Sequence, residues 1–395
     1  MSDNAHKPLD GLVVADFTRI LAGPLCTMVL ADLGADVIKI ERPVGGDDTR
    51  TWGPPFVGDD AAYFLSINRN KRSIVLDLTD QSDREVARQV IERSDVLVEN
   101  FRSGVMTKFG LGYDDVSEWN PGLIYCSMPA FSSADQREFP GYDLVMQSIS
   151  GFMSITGETD REPVKMGVAL LDVVAGLYAT VAILTALRER EKTGTGRRVE
   201  VGLFEASVAS LVNQAANYLA SEEVPTAAGN AHPNIVPYQA FSGSDGRFVL
   251  AAANDKLFRA TAQAMERPEL AEDERFATNG SRVAHRSELI AEMEETFSAE
   301  PVEHWVESLS RAGVPAAPVR TIDEVFASPE GTGTLIDIDD PRRGPLRLVR
   351  SPIRFDGLID DDAKPPPLLG EHQEEIRQWI EGSDPLGFEM ERESR

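Results

Sequence analysis

The chain opens with short apolar runs set apart by amphipathic stretches. Leu12-Val-Val-Ala-Asp16, Ala35-Asp-Val-Ile-Lys-Ile40, Ser73-Ile-Val-Leu-Asp-Leu78, Asp95-Val-Leu-Val98 and Leu123-Ile-Tyr-Cys-Ser127 read as strands. Between them, Ala22–Leu33 predicts a helix with Pro24 in its first turn and Gly34 just past its end. A second helix is expected around 82–93. This alternation implies an α/β protein with a parallel, Rossmann-like sheet covered by helices. Ligands of such sheets bind beyond the carboxyl ends of the strands. Those ends carry Thr18-Arg19, Glu41-Arg42, Glu99-Asn100-Phe101-Arg102 and Met128-Pro129.

The run Met166–Leu187, among the most apolar of the chain, predicts a long helix. A polar cap and turn, Arg188–Arg197, leads from it into strand-like Arg198-Val-Glu-Val201. Residues 222–236 are turn-rich. A separate α+β stretch follows, with Ala240-Phe241, a Ser-Asp-Gly turn, Arg247–Ala253, helices to about 312, and Gly313–Pro318 closing it. The tail, 340–395, has short strands and Pro365-Pro-Pro367. The expected organisation is a large domain over 1–221 and 325–395 and a small α+β domain over 222–324.

Asp172 stands alone inside the 166–187 run. A carboxylate in apolar company is costly unless something hydrogen-bonds it. One reading is a helix N-cap that accepts from the amides of the first turn. The other is a nucleophile, a partly desolvated carboxylate that attacks an activated acyl group. The two are compatible, since amides at a helix start would also keep the aspartate ionised.

Composition narrows the field. A net charge of −26 on 395 residues argues against a nucleic-acid or anionic-membrane surface. Only eight of the 39 basic residues are lysine, and an acidic, lysine-poor surface suits high salt. Cys26 and Cys126 are too few for a disulfide framework and read as small buried residues. The five histidines show no metal-ligand spacing, so no metal site is expected. No Gly-x-Gly-x-x-Gly follows the first strand, and no Walker loop or Gly-x-Ser-x-Gly occurs. Only 166–187 has the length to span a bilayer, and its Asp172 and small residues favour a buried core helix. With no signal-like apolar segment at the start, the cytoplasm is the expected compartment.

Several phrases in order resemble the class III CoA-transferase family, which also contains acyl-CoA racemases. They are Asp16-Phe-Thr-Arg-Ile-Leu-Ala-Gly-Pro24, Ala31-Asp-Leu-Gly-Ala-Asp-Val-Ile-Lys-Ile-Glu-Arg-Pro43, Asn68-Arg-Asn-Lys-Arg-Ser-Ile-Val-Leu-Asp77 and Val98-Glu-Asn-Phe-Arg-Ser-Gly104. Asn120–Cys126, Gly141-Tyr-Asp-Leu144, Gly167–Gly176, Lys192–Gly196, Gly313–Val319 and Pro367–His372 extend the resemblance over nearly the whole chain. It implies an interlocked homodimer and a small domain inserted into the large one. It also implies an aspartate nucleophile at Asp172, which forms an aspartyl-acyl anhydride. CoA thioesters would be substrates, with no permanently bound cofactor.

The resemblance further places Leu21, Ala22, Arg42, Leu76, Asp77, Leu78, Asn100, Phe101, Arg102 and Lys108 at CoA contacts, with Tyr142 near the thioester end. The racemase branch has histidine where this chain has Tyr142, and racemisation needs two acid/base groups, so transfer is favoured. Gly229-Asn-Ala-His-Pro-Asn-Ile-Val-Pro-Tyr-Gln239 looks like the branch acting on dicarboxylates such as glutarate or mesaconate, with succinyl-CoA as the expected donor. His232, Tyr238 and Gln239, with Arg19, are the implied acceptor contacts; His232 by itself also reads as a turn histidine. An acyl-CoA racemase or isomerase, a non-catalytic CoA-binding protein and intramolecular CoA transfer are the alternatives.

The charge generates a first prediction. Melting temperature and activity are expected to rise with salt toward about 1 M, where the screening length shrinks to ~3 Å. A melting temperature that is highest in low-salt buffer would contradict it.

Overall fold

The computed structural model describes residues 7–132, 139, 141–355 and 362–382. It divides into two compact units, one of 1–151, 166–219 and 334–395, the other of 152–165 and 220–333. The strands of the first unit up to residue 219 are β1 (Val13–Asp16), β2 (Asp36–Glu41), β3 (Phe56–Val57), β4 (Asp60–Ala61), β5 (Lys71–Val75), β6 (Val96–Glu99), β7 (Ile124–Ser127) and β8 (Arg197–Glu200). β3 and β4 form a short antiparallel ladder. The other six form one sheet in the order β5-β2-β1-β6-β7-β8, parallel throughout. From β1 the chain builds outward first through β2 to β5 and then, on the other side, through β6 to β8. The order therefore reverses between β1 and β6, where parallel sheets open a crevice at the carboxyl ends of their strands.

The helices of this unit that bear on the site are α1 (Ala22–Asp32), α2 (Ala62–Ser66), α3 (Gln81–Glu92), α4 (Val105–Lys108), α5 (Tyr113–Trp119) and α6 (Asp143–Ile149). After α7 (Phe152–Ile155), whose residues belong to the second unit, come α8 (Leu170–Thr193) and α9 (Leu203–Ala209). Strand residues alternate between the two faces of the sheet. Val13, Ala15, Phe17, Ile38, Ile40 and Ile74 join a core made with α3, α5 and the C-terminal helix Gln373–Ile380. On the opposite parity stand Asp16, Lys39, Glu41, Lys71 and Ser73, all buried.

α8 is the long helix that the apolar run predicts, with shifted ends. It starts at Leu170, because Met166 N is drawn to Gln147 Oε1 (2.8 Å) and the chain has not yet turned helical. It runs on through the polar Arg188–Thr193, whose residues are good helix formers, and stops at Gly194, which takes φ 71° in the left-handed region. Gly176 lets α8 approach α1 closely; a Cβ there would sit 2.6 Å from Ala22 O. Among the described residues α8 alone is long and apolar enough to cross a membrane, and half of that stretch is buried within the unit. The strand expected over Ser73–Leu78 instead pairs over Lys71–Val75, leaving Leu76, Asp77 and Leu78 in the turn that follows.

The second unit holds β9 (Tyr238–Ser242), β10 (Arg247–Ala251) and β11 (Ala316–Pro318) in an antiparallel sheet ordered β11-β10-β9. Its core joins Phe241 and Phe248 from the sheet to Phe258, Phe297 and Trp305 from the helices. The segment before β9 is tied to the helices by arginines. Arg282 donates through Nε to Val236 O (2.6 Å), and Arg286 donates to His232 O (2.8 Å) and Pro233 O (2.9 Å).

Candidate active site

At the crevice between β1 and β6 lies a cavity of about 170 Å³. It gathers eight of the sequence-predicted residues: Arg19, Leu21, Ala22, Asn100, Phe101, Arg102, Tyr142 and Asp172. These come from the β1–α1 loop, the residues after β6, and the starts of α6 and α8, segments far apart in the chain.

The β1–α1 loop is pinned by buried polar groups. Asp16 Oδ1 accepts from Thr18 N (2.9 Å), and Lys39 Nζ donates to Thr18 O (2.9 Å). Asn100 brackets Arg19, accepting from its N (2.9 Å) and donating to its O (2.8 Å). Asp47 Oδ1 accepts from Ile20 N (3.2 Å), which helps hold Ile20 at φ 74°, an uncommon conformation for a β-branched residue. Lys71 Nζ reaches Asp16 Oδ2 (3.1 Å), Asn68 Oδ1 (2.9 Å) and Pro24 O (2.9 Å).

Charge is therefore balanced beneath the loop. Burial opposes ionisation of Asp16, but Lys71 and Lys39 with the Thr18 and Thr27 hydroxyls outweigh it and hold the carboxyl below its usual range. Asp47 is likewise pulled to about 2 by Lys39, 2.9 Å away, and by Thr49, against the effect of its burial. Burial brings Lys71 down to about 8 despite its pairing with Asp16.

Asp172 has the opposite surroundings. Burial pushes its carboxyl up to about 7, and the nearby Asp143 charge adds to the rise. The expectation that it caps α8 and is kept ionised by amides is corrected here. Ala169 is the N-cap and Asp172 lies inside the first turn. The amides of Leu171 (2.9 Å) and Asp172 (3.4 Å) point to Asp143 Oδ1 instead. Leu170 N and Val173 N are engaged by Val168 O and Ala169 O. No first-turn amide is left for the Asp172 carboxylate.

The remaining candidates fall elsewhere. Arg42 does not line the cavity; its guanidinium bonds Asp48 (2.5 Å), which Arg19 also meets at 3.4 Å. Two arginines thus share one carboxylate beside the crevice, and Arg19 also lies over the Phe101 ring at 5.2 Å. Leu76 is buried, Asp77 bonds Thr79, and Lys108 is exposed at the end of α4. In the second unit His232 N donates to Tyr238 O (3.0 Å), the His232 and Tyr238 rings lie 5.3 Å apart, and Gln239 pairs with Leu250. Cys26 and Cys126 are free and buried, as expected. Among the described residues no group of acidic, histidine and cysteine side chains is placed to hold a metal.

Two site residues escape a reading of the sequence. Asp143 lies within the quoted Gly141–Leu144 phrase, yet nothing local marks it as the partner of Asp172. Tyr63, from α2, is near enough for the charges of Asp172, Asp143 and Asp47 to add to burial and push its phenol up to about 12.

The site thus combines a parallel sheet, a cavity at its switch point and a buried carboxylate that lines it. The sequence matches CoA-transferase family III over residues 9–373, so the chain belongs to that family and is a CoA-transferase. It is 41% identical to the human succinyl-CoA:glutarate CoA-transferase over 380 residues, 95% of this chain and 87% of that one. It is 40% identical to the succinyl-CoA:mesaconate CoA-transferase of Haloarcula marismortui, over 93% of this chain and 95% of the other. The crystal structure of a CAIB/BAIF family protein from Brucella suis is similar throughout, with 46% identity and a TM-score of 0.83, covering 95% of this chain and all of that one.

Proposed function

We propose that the protein moves CoA from succinyl-CoA to a C4 or C5 dicarboxylate, such as glutarate or mesaconate, through an anhydride on Asp172. The observation that carries this is a buried carboxylate, pushed up to about 7 by burial and by Asp143, opening onto the cavity at the sheet's switch point. In the first step an Asp172 oxygen attacks the thioester carbonyl. The C–O bond forms, the C–S bond breaks, and the electron pair leaves with CoA as thiolate. The thiolate next attacks the Asp172 carbonyl of the anhydride and releases succinate, leaving a thioester on Asp172. The acceptor carboxylate displaces CoA from it to form a second anhydride, and the thiolate then attacks the acceptor's carbonyl, so that the new acyl-CoA leaves and Asp172 returns as a carboxylate. A water-poor pocket favours both the nucleophile and the survival of the anhydride. The names of the relatives support succinyl-CoA as donor and a dicarboxylate as acceptor. Arg42, Arg19 and Arg102 are the cations we assign to the anionic substrates.

Asp172→Ala is expected to abolish transfer in a folded protein, read by mass spectrometry of CoA esters after incubation with succinyl-CoA and glutarate. Transfer near the wild-type rate would end the mechanism.

The same assay, run over a panel of acids, tests the acceptor. The second carboxylate of a dicarboxylate must be desolvated, and hydrogen bonds to a charged group contribute about 1.5–3 kcal/mol. Glutarate and isotope-labelled succinate are therefore expected to exceed butyrate by roughly ten- to hundredfold in kcat/KM, and to exceed formate and oxalate. Equal values for butyrate and succinate would mean that no site for the remote carboxylate exists.

We further propose that the chain works as a homodimer. α8 leaves Leu177, Tyr178 and Val181 exposed on one face, Val181 by 60%, and Val212, Tyr218 and Leu219 are exposed close after α9. An apolar surface of this kind marks an association site. Light scattering should give twice the chain mass, and Val181→Asp should shift the mass toward one chain. A wild-type monomer at micromolar concentration would exclude the dimer.

A further inference from the structure

Two helices begin beside Asp172, and the second of them brings another carboxylate. Asp143 is the first residue of α6, nearly buried, and its Oδ1 accepts from Leu171 N and Asp172 N at the start of α8. Its Oδ2 accepts from Gln147 Nε2 (2.5 Å), while Gln147 Oε1 accepts from Met166 N (2.8 Å). Asp143 and Gln147 therefore fasten the segment leading into α8 and absorb the amide donors that would otherwise favour the Asp172 carboxylate.

We infer that Asp143 is a positioning residue whose fixed charge, set against the first turn of α8, makes Asp172 a more basic and more reactive nucleophile. The inference rests on the anhydride reading of Asp172. Its physical basis is the change of charge during the reaction. Asp172 carries a negative charge as the free carboxylate and none as the anhydride. A neighbouring anion raises the energy of the first state and leaves the second almost untouched. Acylation thus relieves a repulsion that the fold has built in. A more basic carboxylate is also a better nucleophile and a poorer leaving group, which brings its anhydride closer in energy to the thioester.

Among the described residues, the other groups around Asp172 do not cancel this charge. α1 presents Ala22 O and Leu25 to Gly176. From α9, Leu203 lines the cavity while Glu205 turns to Ser132 N. Tyr63 of α2 is a neutral phenol at working pH. Arg19, the cation of the β1–α1 loop, engages Asp48, and Arg102 is exposed at the cavity's edge. Tyr142, next to Asp143, is half exposed. The rise in the Asp172 pKa to about 7 has burial as its first cause and Asp143 as its second.

Asp143→Asn keeps an oxygen for the two amides and removes the charge. Only ionised Asp172 attacks, so wild-type kcat with succinyl-CoA and glutarate should rise with pH through about 7. In Asp143→Asn the rise should move to lower pH, giving a roughly fivefold larger share of maximal kcat at about pH 6. KM for succinyl-CoA should stay within about twofold. Asp143→Glu, which restores the charge, should return the profile toward wild type. A purely structural role would lower kcat without moving the profile. An unmoved profile in Asp143→Asn overturns the inference and leaves the function standing, whereas an active Asp172→Ala overturns the function itself. Should Asp143→Asn fail to fold, the wild-type profile decides: a rise confined to the ordinary carboxylate range overturns the inference, and a rise near 7 that Asp143→Glu preserves supports it.

Discussion

The architecture of the site depends on keeping the β1–α1 loop fixed in a dry place. Its backbone groups cannot all pair with each other, because the loop neither continues a strand nor has yet entered a helix. Buried charges serve them instead: Asp16, Lys39, Asp47 and Lys71 lie under the loop, and Asn100 reaches it from β6. Ion pairs in such positions add little net stability, since desolvation offsets attraction, but removing one partner leaves an unpaired charge and costs about 3–5 kcal/mol. The network thus fixes a geometry more than it deepens the fold. It makes Arg19, Leu21 and Ala22 a rigid wall for the cavity that holds Asp172.

The same few ångströms of protein treat two buried aspartates in opposite ways. Asp16 has two lysines and two hydroxyls around it and stays an anion. Asp172 has apolar surroundings and another carboxylate for company, so its charge is held at a cost. Environments that drive similar groups apart are how one fold separates structural from reactive roles. Here the lysines serve the loop, and the carboxylate facing the cavity goes without.

The distribution of cations follows a similar logic. The chain carries a net charge of −26, yet its substrates are anions. Arg19 and Arg42 meet over Asp48, giving a local excess of one positive charge beside the crevice.

Much of the fold was legible because its signals are local. Five buried strands with helices between them define a parallel sheet, and strand ends in such a sheet mark the ligand crevice. The phrases around Asp16, Asn100 and Asp172 pointed to the family, and residues from the last two line the cavity. What stayed hidden depends on groups distant in the chain. Lys39 lies within the strand expected over Ala35–Ile40, and nothing local marks it as buried. It is fully buried because the Asp47 carboxylate pairs with it, β1 brings Asp16 to the same face, and the Thr18 carbonyl lies within its reach. Asp172 reads as a helix cap, and only the arrival of α6 gives that work to Asp143. Tyr63 carries no local mark at all. The sequence by itself determined most of the elements and the family, since these follow from hydrophobic period and residue type. Which carboxylate is neutralised and which is left basic was decided by tertiary structure alone, because charge interactions act through space between residues that the chain keeps far apart.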